Sequence, residues 1–236
     1  MFAANAETTS PHDLVAAARR LRHAAHHETD SQRLFDSLAD LDERVLDVLR
    51  EDTDAALAFW LNVHGALVDQ ARNGGASRSR VAGEGLSAED VRHGILRANR
   101  WKYGFGYLPD PLPGEFARRH RLPELDERVH FATLAARHVP GMAVTFTAAN
   151  VDAELRTVTR QYLQHTAEYD PADEVVAVPR VCLWYRGDFG GASGVRSLLA
   201  THGVIPVDAD PRLTYVAPAA SGDAAVPTEW ARGDAQ

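Results

Sequence analysis

One cysteine, Cys182, is present among 236 residues. No intrachain disulfide can form, and a structural zinc site built from several thiolates of one chain is excluded. Lysine is almost missing as well: Lys102 stands alone, so 24 of the 25 basic residues are arginine. That bias indicates GC-rich coding. With abundant aspartate it suits the acidic, solvated surface of a salt-adapted organism such as a halophilic archaeon, although codon bias alone would account for the arginines. No apolar run approaches the roughly 18 residues of a membrane span. The start, Met1-Phe2-Ala3-Ala4-Asn5-Ala6-Glu7, lacks the basic and apolar regions of a secretory signal. A soluble, cytoplasmic protein with no membrane partner is expected. No glycine-rich phosphate loop exists either. Gly187-Asp188-Phe189-Gly190-Gly191 has neither a Walker lysine nor Rossmann spacing, and no cofactor is expected. The net charge of -8 opposes a nonspecific nucleic-acid role, which needs a basic surface. Arg118-Arg119-His120-Arg121 is a local basic run within that acidic average.

Hydrophobic residues make up 45% of the chain, the globular average, which is enough for a sizeable core. Ser10-Pro11-His12-Asp13 marks a helix start. His23, His26 and His27 fall at helical spacing near the end of that helix, with no carboxylate or cysteine to complete a metal set. A second helix is expected over 31–51, from the stripe Leu34, Leu38, Leu41, Val45, Leu46 and Leu49. A third, over 54–72, is apolar nearly all round and ends at Asn73-Gly74-Gly75, so it should be the buried centre. Residues 73–86 read as a surface loop, 87–99 as a capped helix, and 101–125 as a long ordered loop rich in aromatics and proline. Strands are expected over 128–133, 142–146, 174–178, 181–185 and 213–217, with helices over 151–169 and 193–202. The sum is α+β: a mainly helical single domain over 10–217 with a small β-sheet in the C-terminal half. Residues 1–9 are expected to be disordered and 218–236 a flexible tail.

Two segments bury polar chemistry in apolar surroundings. Asn62 sits in Phe59-Trp60-Leu61-Asn62-Val63-His64-Gly65-Ala66, and His130 in Arg128-Val129-His130-Phe131-Ala132. An unpartnered buried amide or imidazole costs roughly 1–3 kcal/mol, so each must join a polar network or a site. With His93-Gly94-Ile95-Leu96-Arg97 and Trp184-Tyr185-Arg186-Gly187-Asp188-Phe189, these segments form an ordered series. The series resembles the domain-of-unknown-function 547 family (DUF 547). That family shows a Phe-Trp helix with Tyr-Asn-Ala, then H-x-I-L-R, then R-aliphatic-H-F-A leading into a cysteine-containing stretch, then W-Y-x-x-D-F. This chain departs from it. His64-Gly65 replace the Tyr-Asn pair, and Ala135 and Val139 stand where the family cysteines fall, with only Pro140 kept.

A cysteine/histidine site would be the natural chemistry of such a family, since thiolate attack needs an imidazole base and a group that orients it. The resemblance makes His130, His93, Asn62 and Asp188 the catalytic candidates, and Arg97, Arg128, His138 and Tyr185 the ligand-binding ones. Four of these, Asn62, His93, His130 and Asp188, are expected to converge on one polar pocket. His130 and Arg97 each keep a structural reading beside the functional one. Cys182, between Val181 and Leu183, reads as a core thiol. Trp60, Trp184, Tyr185 and Phe189 read as packing before they read as a cage. The histidines 64, 93, 130 and 138 lack metal spacing, and no metal is expected. Loss of the aligned thiol favours a non-catalytic module that binds an unidentified small molecule or protein. The alternatives are a hydrolase or acyl transferase of cysteine-protease-like layout and, below it, a metal-dependent hydrolase.

Overall fold

The computed structural model describes residues 9–138 and 144–217. The chain opens with α1, Pro11–His26, whose start is legible in the sequence. The Ser10 hydroxyl accepts from the Asp13 N–H, the Asp13 carboxylate accepts from the Ser10 N–H, and Pro11 takes the first helical position. Thr9, expected to be disordered, is buried. The expected tail and most of the expected disordered start lie outside the described residues.

The helix expected over 31–51 is two helices, α2 (Gln32–Ala39) and a 3-10 helix (Glu43–Glu51). Aspartates cause the break. Asp42 Oδ1 accepts from the Arg44 N–H at 2.9 Å and restarts the chain at a new cap. The leucine stripe survives the break, with Leu38, Leu41, Val45, Leu46 and Leu49 all buried.

Helix α3, Thr53–Arg72, is capped by Asp52 Oδ1, which accepts from the Ala55 N–H at 2.9 Å. It ends at Asn73, followed by Gly74 at φ +79°. Fourteen of its twenty residues are buried, so it has no solvated face and forms the centre of the molecule. Trp60 lies edge-on to Phe59, 5.0 Å between ring centroids, and to Phe116 at 6.1 Å. Its role is packing.

The segment expected to be a loop over 73–86 holds a hairpin of β1 (Ser79–Val81) and β2 (Glu84–Leu86). It turns on Ala82 at φ +50° and Gly83 at φ +82°, the double left-handed geometry that matches strand twist. The Ser87/Asp90 capping box starts α4 (Ala88–Asp90), which widens into a π-helical stretch over Val91–Leu96. The long loop that follows contains α5 (Glu115–His120) and exposes Tyr103, Phe105 and Tyr107.

The strand expected over 128–133 is instead helix α6, Val129–His138. Short apolar runs do not separate helix from strand by pattern. Here the Asp126 carbonyl accepts from the Val129 N–H, and Asp126 Oδ1 from the Arg128 N–H, which starts a helix. Residues 142 and 143 of another expected strand lie outside the described residues, while 144–147 are irregular. A 3-10 turn (Ala148–Asn150) leads into α7, Val151–Thr166.

Three strands follow: β3 (Glu168–Asp170), antiparallel to β4 (Val175–Pro179), and β5 (Arg212–Val216), parallel to β4 on its other side. Both edges of β4 are therefore taken. The segment expected to be a strand over 181–185 has no place beside it and coils into α8, Val181–Trp184. Helix α9, Gly191–Thr201, makes the return to β5. Helices α1, α6 and α7 and the π-helical stretch all pack on α3, giving the mainly helical α+β architecture that the sequence predicts. Among the described residues no helix is long and apolar enough to cross a membrane.

Candidate functional site

Three elements bring five of the eight candidate residues together. The π-helical stretch carries His93, and Arg97 is its C-terminal cap. His130 lies in the first turn of α6. Tyr185 and Asp188 lie in the turns between α8 and α9. The Asp188 carboxylate is the hub. Its Oδ2 accepts from Arg97 Nε at 2.7 Å and meets His130 Nε2 at 2.7 Å. Arg97 Nη2 is 2.6 Å from the same oxygen but lacks the alignment of a hydrogen bond. The side chains of Arg97, His130 and Asp188 have no solvent exposure. Tyr185 stacks on the His130 ring, 4.8 Å between centroids at 17°, and carries Arg97 on its ring at 4.1 Å.

Partner chemistry sets the protonation of both histidines. A guanidinium only donates and a carboxylate only accepts. His130 Nδ1 faces Arg92 Nη2 at 3.4 Å, so that nitrogen carries the lone pair and Nε2–H donates to Asp188. His93 repeats the pattern: Nδ1 accepts from Arg97 Nη1 at 2.6 Å and Nε2–H donates to Glu89 Oε2 at 2.9 Å. Each ring is neutral, and its only lone pair is aimed at a cation. Burial, with Arg92 and Arg97 nearby, pushes His130 down to about 3, against the pull of Asp188. Burial likewise pushes His93 down to about 4, although Glu89 favours its charged form. Burial opposes ionisation of Asp188, but His130 and Arg97 outweigh it and hold the carboxyl below the usual range.

A pH dependence of stability follows. An unfolded histidine titrates near 6.5. Below that pH the unfolded chain binds protons that the folded His93 and His130 refuse. Stability is therefore full above about pH 6.5 and falls as pH drops towards 4. Thermal melts between pH 4 and 7 should show a steady drop of Tm on the acid side. A Tm that is flat or rises towards pH 4 would contradict the burial of neutral rings.

Two other candidates make their polar contacts outside this cluster. Asn62 is buried, but its amide serves the backbone. Nδ2 donates to the carbonyls of Ala58 (2.7 Å) and Phe146 (2.8 Å), and Oδ1 accepts from the Phe146 N–H at 3.0 Å. It pins an irregular segment to α3, and both its donors are used there. Arg128 is paired to Asp126 and Asp152 at 2.6 and 2.8 Å. The side chain of His138 lies outside the described residues. Ala135, the position that the resemblance assigns to the family thiol, is fully buried. Cys182 is buried, and burial pushes its thiol up to about 12. Among the described residues no three of His, Cys, Asp and Glu are arranged to hold a metal ion.

Sequence reasoning missed Arg92 and Glu89, which fill the open nitrogens of the two histidines. The signal was present: two arginines and a histidine within the six-residue run Arg92 to Arg97, between buried Val91, Ile95 and Leu96. All of them lie on or beside the π-helical stretch, a form often found at functional sites. Also missed was an open groove of about 770 Å³. The N-terminal turns of α3 and α7, the segment before α6, and α9 bound it, and Asp188 and Phe189 also line it.

No curated protein and no solved structure matches the chain. The matched part of a family model takes in Asn62, His93, Arg97 and His130 and stops short of Tyr185 and Asp188. Over residues 49–163, just under half of its length, the chain resembles the family described as "Protein of unknown function, DUF547".

Proposed function

We propose that this protein is a non-catalytic binding module whose ligand occupies the open groove, and that the buried polar cluster beside it is a scaffold. One observation carries the reading: both histidine lone pairs are consumed by guanidinium groups. A general base needs a free lone pair within reach of a substrate proton. A hydrolase reading draws on the close His130–Asp188 contact, which has the look of a base with its orienter. In such a pair the second ring nitrogen faces a nucleophile, whereas here it faces Arg92. The one thiol is sealed in the core. The groove, by contrast, is of the size that takes a small molecule, and Leu57, Leu125, Phe189 and Leu198 give it apolar surface. A small-molecule partner fits it better than a flat protein face. A cytoplasmic setting goes with a lone, reduced thiol.

The test is chemical. Iodoacetamide should label Cys182 slowly in native protein and readily in unfolded protein, and ester and amide substrates should show no turnover above background. Turnover that disappears in His130→Asn at unchanged Tm would sink the proposal, as would rapid native labelling of Cys182 coupled to loss of activity.

A further inference from the structure

We infer that the loop over 101–112 is a docking surface for a short acidic segment of a partner protein, one that sets apolar side chains beside its carboxylates. No residue of this loop lines the groove, so the contact is a second one. Seven large hydrophobic side chains are exposed among the described residues, and five of them fall within ten positions: Tyr103, Phe105, Tyr107, Leu108 and Leu112. Scattered exposed side chains need no explanation, but a concentration of this kind marks an interaction site. The backbone that carries them is held in place. Trp101 N–H donates to the Leu108 carbonyl at 2.9 Å, Gly187 N–H to the Phe105 carbonyl at 2.8 Å, and Arg100 Nη1 to the Gly106 carbonyl at 3.2 Å. Phe105 takes a left-handed φ of +51°, unfavourable for an aromatic residue, while its ring stays 48% exposed. Folding alone gives little reason to hold a phenyl ring there.

Charge selects the occupant. The Arg186 guanidinium lies 5.7 Å from the centre of the Phe105 ring and 5.9 Å from that of Tyr107, and Lys102 Nζ lies 4.7 Å from the centre of Tyr103. Arg186 is exposed and forms no ion pair among the described residues. From Arg100 to Pro113 the one acid is Asp110, and its Oδ1 accepts from the Leu112 N–H at 2.9 Å. The patch is thus cationic on a chain of net charge -8. A guanidinium between two half-exposed rings offers a carboxylate two parallel N–H donors with apolar cover on either side. Tyrosine and arginine are also residues that dominate protein interfaces. A nucleic acid or an anionic bilayer would meet the same cations, but each extends past the patch to the acidic remainder of the molecule, which repels it. A short peptide covers the patch alone, and charges farther off than roughly 8 Å are largely screened at physiological salt.

The experiment selects a library of random twelve-residue peptides displayed on phage against the full chain and sequences the survivors. Peptides that join Asp or Glu to aromatic or aliphatic residues should be enriched. The most enriched one, made with a fluorescent label, should bind in an anisotropy titration and weaken as sodium chloride is added. Arg186→Gln should weaken it about tenfold, the loss of one charge-assisted contact. Phe105→Asn should weaken it as well, at an unchanged Tm, because asparagine accepts the left-handed backbone more readily than phenylalanine does. A survivor pool that is basic, that shows no acidic bias or that is empty would overturn the proposal. An affinity untouched by both variants would also overturn it, and so would a Phe105→Asn variant that loses binding only by melting earlier. Oligothymidylate and phosphatidylserine vesicles are the competing probes. Binding of either that depends on Arg186, without enrichment of acidic peptides, would give the surface to a phosphate polyanion instead.

Discussion

Asp188→Ala should lower folding stability by about 3–5 kcal/mol, because removing one partner of a buried ion pair strands the other. Two donors lose their acceptor at once, Arg97 Nε and His130 Nε2–H. All three side chains are without solvent exposure in the folded protein, so the stranded donors start from a dry site. The damage should spread to the aromatic loop. Gly106, at φ +83°, lies against the Asp188 carboxylate and backbone, and Gly187 N–H donates to the Phe105 carbonyl. Asp188→Asn keeps an acceptor oxygen at the hub and should lose less. Urea unfolding of the two variants checks the order; an Ala variant within about 1 kcal/mol of wild type would mean the cluster is not the anchor described here.

The second large effect is expected at a different buried pair. Asp69, fully buried on α3, holds Arg22 of α1 and takes His26 at 3.1 Å on the same oxygen. Asp69→Ala should cost about 3–5 kcal/mol by leaving the Arg22 guanidinium buried without its counter-charge. Adding Arg22→Met removes the stranded charge and should restore a large part of the loss. The pair of singles and the double make a cycle that separates the interaction from the packing. Losses that simply add would argue against a direct pairing. The notch that admits Arg22 is Gly65: a Cβ there would collide with Arg22 Nε. Gly65 is therefore fitted to the arginine beside it. A side chain at 65 would block the arginine that keys α1, a helix outside the matched segment, to the central one.

What was legible in the sequence were features written in local chemistry. The Ser10 capping box, the all-round apolar α3 and the Asn73-Gly74 stop need only neighbours along the chain. The segments over 128–133 and 181–185 have the pattern of strands and form helices. Val-His-Phe and Val-Cys-Leu runs suit either state, and the choice was made by Asp126 and by a β4 with no free edge. The candidate site divides in the same way. That His93, Arg97, His130, Tyr185 and Asp188 would gather could be expected from buried polar groups needing one another. That Asn62 would spend its amide on the Phe146 backbone could not, because every residue carries the same peptide group and nothing in the sequence marks one as the partner. Nor could the orientation of the imidazole rings. It depends on Arg92, which meets His130 from 38 positions earlier in the chain, and orientation is what separates a base from a strut.

The most direct test of that distinction is the tautomer of the two rings. Nitrogen-15 NMR of the imidazoles should find His93 and His130 neutral across pH 5–8, with the proton on Nε2 and the lone pair on Nδ1, as Arg97 and Arg92 require. A ring that takes up a proton within that range, or one that carries its hydrogen on Nδ1 and leaves Nε2 free, would contradict the scaffold account and return His130 to the position of a working base.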